Sequence, residues 1–179
     1  MFNMKKKLKL NVIFWITIIV IASYIIFALI ANIDELEKDP YTNTEQGWSI
    51  KYPLGWKIIE IETGDVDFID ESSENILYIR VEPPKEFTSN ILNEEIEKWR
   101  EIIKDNNYVI TSEGNRLVNN MNSYEFIYKN EDGQYSLKEK RILIEKDGRV
   151  FNIVYIVEIN SYDEYDSLAE KCINTFTIL

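Results

Sequence analysis

Between Leu10 and Ile33 no side chain is charged, and the core of that run, residues 12–31, reads VIFWITIIVIASYIIFALIA. Twenty helical residues span about 30 Å, the thickness of a bilayer's hydrocarbon core. The pattern predicts a transmembrane helix over 10–33. A cleaved signal peptide is the rival reading. It would carry a shorter apolar stretch and an A-x-A-like site. Here Ala28 and Ala31 stand one residue too far apart, and no cysteine follows for lipidation. The spacing favours an uncleaved anchor. The polar stretch 34–44, with Pro40, reads as a juxtamembrane linker to a domain over 45–179.

Beyond the linker the period changes to two. Trp48, Ile50 and Tyr52 alternate with Ser49 and Lys51, and Pro53 closes that strand. Trp56 opens a second strand through Ile58 and Ile61. Further strands are expected at 66–69 and 76–82, the last closed by Glu82-Pro83-Pro84. Leu92, Ile96, Trp99 and Ile103 then form one stripe of a helix, with Glu94, Glu95, Glu97, Lys98, Arg100, Glu101 and Lys104 on its solvated face. Asn106-Asn107 ends it. Strands resume over 108–118. Tyr124, Phe126 and Tyr128 alternate on the next, and 130–133 reads as a hairpin turn. In the strand 134–145 the apolar parity switches, which predicts a bulge or a change of covered face. Asp147-Gly148 is a two-residue hairpin signal. The strand after it is apolar on nearly both parities and should be central. Ser161 and Glu164 read as a capping box. They open a last helix with Tyr165, Leu168, Ala169, Cys172 and Ile173 on its apolar stripe. The order β-β-β-β-α-β-β-β-β-α with short hairpins predicts an α+β domain, an antiparallel sheet flanked by helices.

Charge gives this layout a direction. The net charge is −11. Of the 20 basic residues, Lys5, Lys6, Lys7 and Lys9 lie in the tail 1–9, so 16 face 31 acidic residues in the remainder. Basic before the apolar run and acidic after it predicts a cytoplasmic N-terminus and an extracytoplasmic domain. The acidic excess argues against nucleic acid, whose phosphates need a basic patch. There is no histidine and a single cysteine, Cys172. That removes the commonest general base, any intramolecular disulfide and any cysteine-based zinc site. Cys172 sits on an apolar stripe without a base partner and reads as a buried small residue. No nucleophile elbow, phosphate loop or zinc motif is present, so no enzyme is expected.

Two stretches invite a functional reading. GDVDFIDESSEN (64–75) gathers Asp65, Asp67, Asp70, Glu71 and Glu74. Oxygen-rich loops bind calcium. However, Ile69 stands where the third ligand of an EF-hand would be and the glycine of that motif is absent. A solvated acidic loop is the plainer reading, with a calcium site as its alternative. YDEYD (162–166) has a sufficient structural reason, since a helix N-terminus favours acids.

The other stretch is GWSIKYPLGW (47–56), where Trp48, Tyr52, Pro53, Gly55 and Trp56 crowd together. Aromatic anchors around a fixed corner explain it, with Pro53 setting the backbone angle and Gly55 the turn. An aromatic ligand groove is the alternative. YPLGW at the end of a strand resembles the (F/Y)-P-x-x-W signature of PsbP-like proteins. The strand pair after it, the helix with a central tryptophan, SYEFIYKNEDG in a meander and the terminal NTFTIL are similar too, over nearly all of 45–179. The resemblance implies an antiparallel sheet between helices. What it implies of a role is limited: plant PsbP is an extrinsic subunit of photosystem II, relatives in bacteria and archaea sit in the cell envelope, other branches bind protein partners, and photosystem binding does not carry over. No metal residue carries over, because this chain has no histidine. The combined expectation is a membrane-anchored, extracytoplasmic accessory module that binds another envelope protein, with no cofactor. A calcium- or small-ligand-binding module is its alternative.

Overall fold

A computed structural model describes residues 35–71, 77–86, 91–130 and 136–179. The expected tail 1–9, the anchor 10–33, most of the 130–133 turn and Glu74 lie outside the described residues. Glu35–Leu179 forms one unit. Among the described residues no helix is long and apolar enough to cross a membrane.

Ten strands and two α-helices follow the order β1 (Tyr41–Asn43), β2 (Trp48–Ile50), β3 (Lys57–Glu60), β4 (Val66–Ile69), β5 (Leu77–Glu86), α1 (Ile91–Asp105), β6 (Val109–Val118), β7 (Met121–Asn130), β8 (Leu137–Lys146), β9 (Arg149–Glu158), a 3-10 turn (Ile159–Ser161), α2 (Tyr162–Ile173) and β10 (Thr177–Ile178). They build two sheets rather than the single sheet expected. A seven-stranded sheet runs β3-β4-β5-β9-β8-β7-β6, and a small one runs β1-β2-β10. Every pairing is antiparallel. As its apolar sequence requires, β9 is central, and its residues Val150–Val157 are buried.

Side chains alternate across the large sheet and make two cores. One face carries Val66, Phe68, Ile79, Val81, Ile142, Ile144, Phe151, Ile153, Tyr155 and Val157. It is covered by Ala169, Cys172 and Ile173 of α2 and by Trp48 and Ile50 of the small sheet. The opposite face carries Tyr124, Phe126, Tyr128, Leu143 and Val150, covered by Ile96 and Ile103 of α1. The result is an α+β sandwich with a helix on each side.

Several local expectations give way to tertiary context. The linker expected over 34–44 is structured: Leu36 bridges to Pro53, and Tyr41–Asn43 pairs with β2. The Pro83-Pro84 pair does not close its strand. It sits in a register irregularity between Glu82 and Lys85, which spares the ladder two missing donors. The parity switch in β8 is not a bulge, since its register with both neighbours is regular. Lys140–Ile144 is simply buried on both faces. Ser161 makes no side-chain cap bond, so the capping box does not form. Glu95, expected on the solvated face of α1, is 2% exposed with its carboxylate 2.5 Å from the Lys85 ammonium.

Two tight turns show why their residues are there. Asp147 (φ 51°) and Gly148 (φ 74°) make the β8–β9 hairpin. Asn119 (φ 46°) and Asn120 (φ 64°) do the same between β6 and β7, a turn carried by the tolerance of asparagine for left-handed backbone. Asn107 (φ 58°) ends α1 as expected.

Candidate functional site

The aromatic corner packs as core. Trp48 is fully buried, its indole N–H donating to Gln46 Oε1 at 2.9 Å. Its ring lies 5.4 Å from Tyr41 and 6.0 Å from Phe176. Tyr52 stacks on Phe68 at 5.1 Å, and half-buried Trp56 joins the same cluster. Pro53 is buried at the bridge to Leu36. Gly55 holds φ 82° with nothing near a would-be Cβ, so its role is conformation and not space.

The acidic residues of 64–75 do not converge. Asp67, on β4 and 6% exposed, is held by Arg80 through Nε at 2.6 Å and Nη2 at 2.8 Å. That hydrogen bond, outweighing burial, pushes the Arg80 guanidinium further up. Asp65 accepts from the Thr63 hydroxyl. Glu71 pairs with Lys57 at 2.6 Å, and Asp70 follows β4 with a partner of its own. These carboxylates are paired rather than aimed at a shared point. Among the described residues no group of three acids or cysteines is arranged to hold a metal ion.

The structure does assemble a site that sequence reasoning missed. A polar cleft of about 620 Å³ lies between the β1–β2 turn and the β3–β4 turn, lined among others by Glu45, Gln46, Glu60, Glu62 and Asp65, with no lysine or arginine on its wall. Gln46 ties the two turns together, donating from Nε2 to the Gly64 carbonyl at 2.7 Å. Glu60 accepts from the Tyr41 hydroxyl at 2.7 Å. Burial, and then that hydrogen bond and the charge of Glu60, push the Tyr41 phenol up to about 12. The cleft is open, anionic and rich in acceptors, so it favours a cationic or hydroxyl-bearing surface. Glu45 lies at least fifteen positions from Glu60, Glu62 and Asp65 in the chain, and no local pattern records the juxtaposition of their two turns.

A second cluster was equally hidden. Lys140, 3% exposed, places its ammonium 2.5 Å from both Asp166 and Glu170 of α2. Arg116 grips the same Glu170 at 2.9 and 2.7 Å and also meets Glu125. Burial alone would push the Glu170 carboxyl up. The hydrogen bonds and charges of Arg116 and Lys140 outweigh it and hold the group at about 2. A carboxylate so held cannot donate a proton near neutrality. This convergence is a fastening and not an acid–base pair. On the opposite face Arg141 lies 3.5 Å beneath the Trp99 ring and 2.8 Å from Glu82. Cys172 is buried, its thiol donating to the Lys51 carbonyl at 2.8 Å and pushed up by burial, so it is no nucleophile.

The fold is similar to that of the cyanobacterial PsbP of Synechocystis, with a TM-score of 0.60 at 15% identity over 83% of this chain and 95% of that one. The chain has the PsbP-like fold. LpqN of Mycobacterium tuberculosis, described as involved in cell envelope biogenesis, aligns with a TM-score of 0.54 at 11% identity, over 81% of this chain and 92% of its own. The Ran-binding protein Mog1p of Saccharomyces cerevisiae aligns at 0.56 and 11% identity, over 80% and 96%. At such identities the PsbP-like likeness concerns fold alone. No family model and no curated protein matches the sequence.

Proposed function

We propose that this PsbP-like chain is a membrane-anchored, extracytoplasmic, non-catalytic accessory module that works by binding another envelope protein. The observation that carries the reading is the fold. A similar scaffold is found in a protein described as involved in cell envelope biogenesis and in a Ran-binding protein, and both are compatible with an accessory module. The uncharged run 10–33, with lysines before it and acids after it, supplies the anchor and its direction. The acidic cleft supplies a surface with carboxylates to spare. Glu45 and Glu62 on its wall make no ion pair within the described domain.

Membrane fractionation of the full chain tests the first half. The protein should stay with membranes through an alkaline wash, and protease added outside intact spheroplasts should digest the domain. Release by the wash, or protection from external protease, overturns it. For the second half, a photocrosslinker at Glu62 in native membranes should give a discrete heavier adduct. A crosslinker at Leu117, exposed on the edge strand β6, should not. Equal or absent adducts at both positions would remove the cleft from the reading.

A further inference from the structure

The first described residues of the domain are held in place. Glu35, two residues after the last apolar residue of the uncharged run, already accepts from the Leu54 amide at 2.9 Å. Glu37 donates its amide to the Tyr52 carbonyl at 2.8 Å, and its carboxylate accepts from the Gly55 amide at 3.2 Å. Between them Leu36 bridges to Pro53 and packs on the main core. Lys171 of α2 closes the arrangement with a 2.5 Å pair to Glu35. The first three residues of the domain are thus stitched to the Tyr52–Gly55 corner on one side and to α2 on the other.

That corner carries an exposed apolar side chain. Leu54 is 59% exposed at the tip of the turn, beside half-buried Trp56. Only two residues of chain, about 7 Å at full extension, separate the last apolar residue of the run from Glu35, whose carbonyl the Leu54 amide meets at 2.9 Å. The headgroup zone is about 5–8 Å deep on each side of the hydrocarbon. Leucine and tryptophan are favoured at that boundary, the indole because one end is apolar and the other polar.

We infer that the Pro53–Trp56 corner is a lipid-contacting surface, with Leu54 seated in the outer headgroup region so that the domain stands on the bilayer in one orientation. The inference rests on the anchored reading above. The occupant follows from where the stretch outside the described residues ends: the chain re-enters the domain at this corner and nowhere else. An exposed leucine on the edge strand β6, such as Leu117, has no such connection to the anchor.

The test uses the full chain reconstituted in vesicles of equimolar phosphatidylcholine and phosphatidylglycerol. Leu54→Cys and, separately, Leu117→Cys are labelled with an environment-sensitive fluorophore. Cys172 is fully buried and stays unlabelled in the folded protein. Emission from position 54 should shift to the blue and be lost when brominated lipids replace the ordinary ones, while position 117 should behave as in water. If the protein resists the alkaline wash but position 54 matches position 117, the lipid contact is wrong and the anchor stands. If the protein washes off the vesicles, both readings fall together.

Discussion

Helices α1 and α2 lie on opposite faces of one sheet and are fastened by different means. Helix α2 settles on the larger core, and two carboxylates on its polar edge are held: Lys140 faces both and Arg116 shares one of them, while the buried Tyr162 hydroxyl has no hydrogen-bond partner among the described residues. Helix α1 settles on a smaller core whose polar groups are less completely matched. Its Trp99 indole N–H has no hydrogen-bond partner. Asn152, which alternates with Val150 on that face of β9, is fully buried with both amide atoms unpartnered. A buried polar network stabilises when every member is satisfied and costs when one is not. By that measure the α1 side, with Trp99 and Asn152, carries more unmet polar groups among the described residues than the α2 side, with Tyr162.

The largest blow to this asymmetry is Lys140→Ala. It leaves Asp166 and Glu170 facing each other without their shared cation, and should cost about 3–5 kcal/mol, read as a lower denaturant midpoint. Truncation of equivalent apolar anchors comes next. Ile173→Ala under α2 and Ile103→Ala under α1 both fall within about 2–5 kcal/mol. Ile173 should lie toward the upper end, because Leu92 and Trp99 beside Ile103 are only partly buried and can relax into the space. Equal losses at the two sites would mean the helices are seated alike.

Acid should act selectively on α2. The Glu170 carboxyl is held at about 2, below its ordinary 4.5. Its contribution is therefore fully present above about 4.5 and is lost as pH falls from there through about 2. Glu170→Gln should flatten the fall in stability across that window. An unchanged slope would show that other carboxylates dominate it. The smallest and opposite effect is expected at Asn152→Leu, which removes a buried unsatisfied amide at similar shape. A gain of about 1–2 kcal/mol, with slower hydrogen exchange in α1, would sharpen the contrast. A loss would show that Asn152 is satisfied in solution.

Much of the architecture was legible because it is written in local periods. The bounds of β4, the stripe of α1, the central place of β9 and the Asp147-Gly148 hairpin all follow from alternation, helical spacing and turn chemistry that neighbouring residues share. The misreadings have a common source. Glu95 looks solvated in its local pattern, yet it is buried because Lys85, on a different element, neutralises it. The prolines at 83–84 look like a stop, yet a register shift against β9 absorbs them. The candidate site fared worse than the fold for the same reason. The described acids of 64–75 are close in sequence and separately bonded in space, whereas the cleft brings Glu45 to Glu60, Glu62 and Asp65 across fifteen or more positions.

The sequence by itself determined the element types, the antiparallel α+β class and the absence of histidine or disulfide chemistry, because composition and short-range pattern limit what a backbone segment can do. Only the tertiary structure decided which charges are buried, that β1, β2 and β10 leave the main sheet to form their own, and that residues 35–37 are sewn to the Pro53 corner. Those outcomes depend on pairings between segments up to 136 residues apart, such as Lys171 with Glu35. The free energy of such a pairing belongs to neither segment alone.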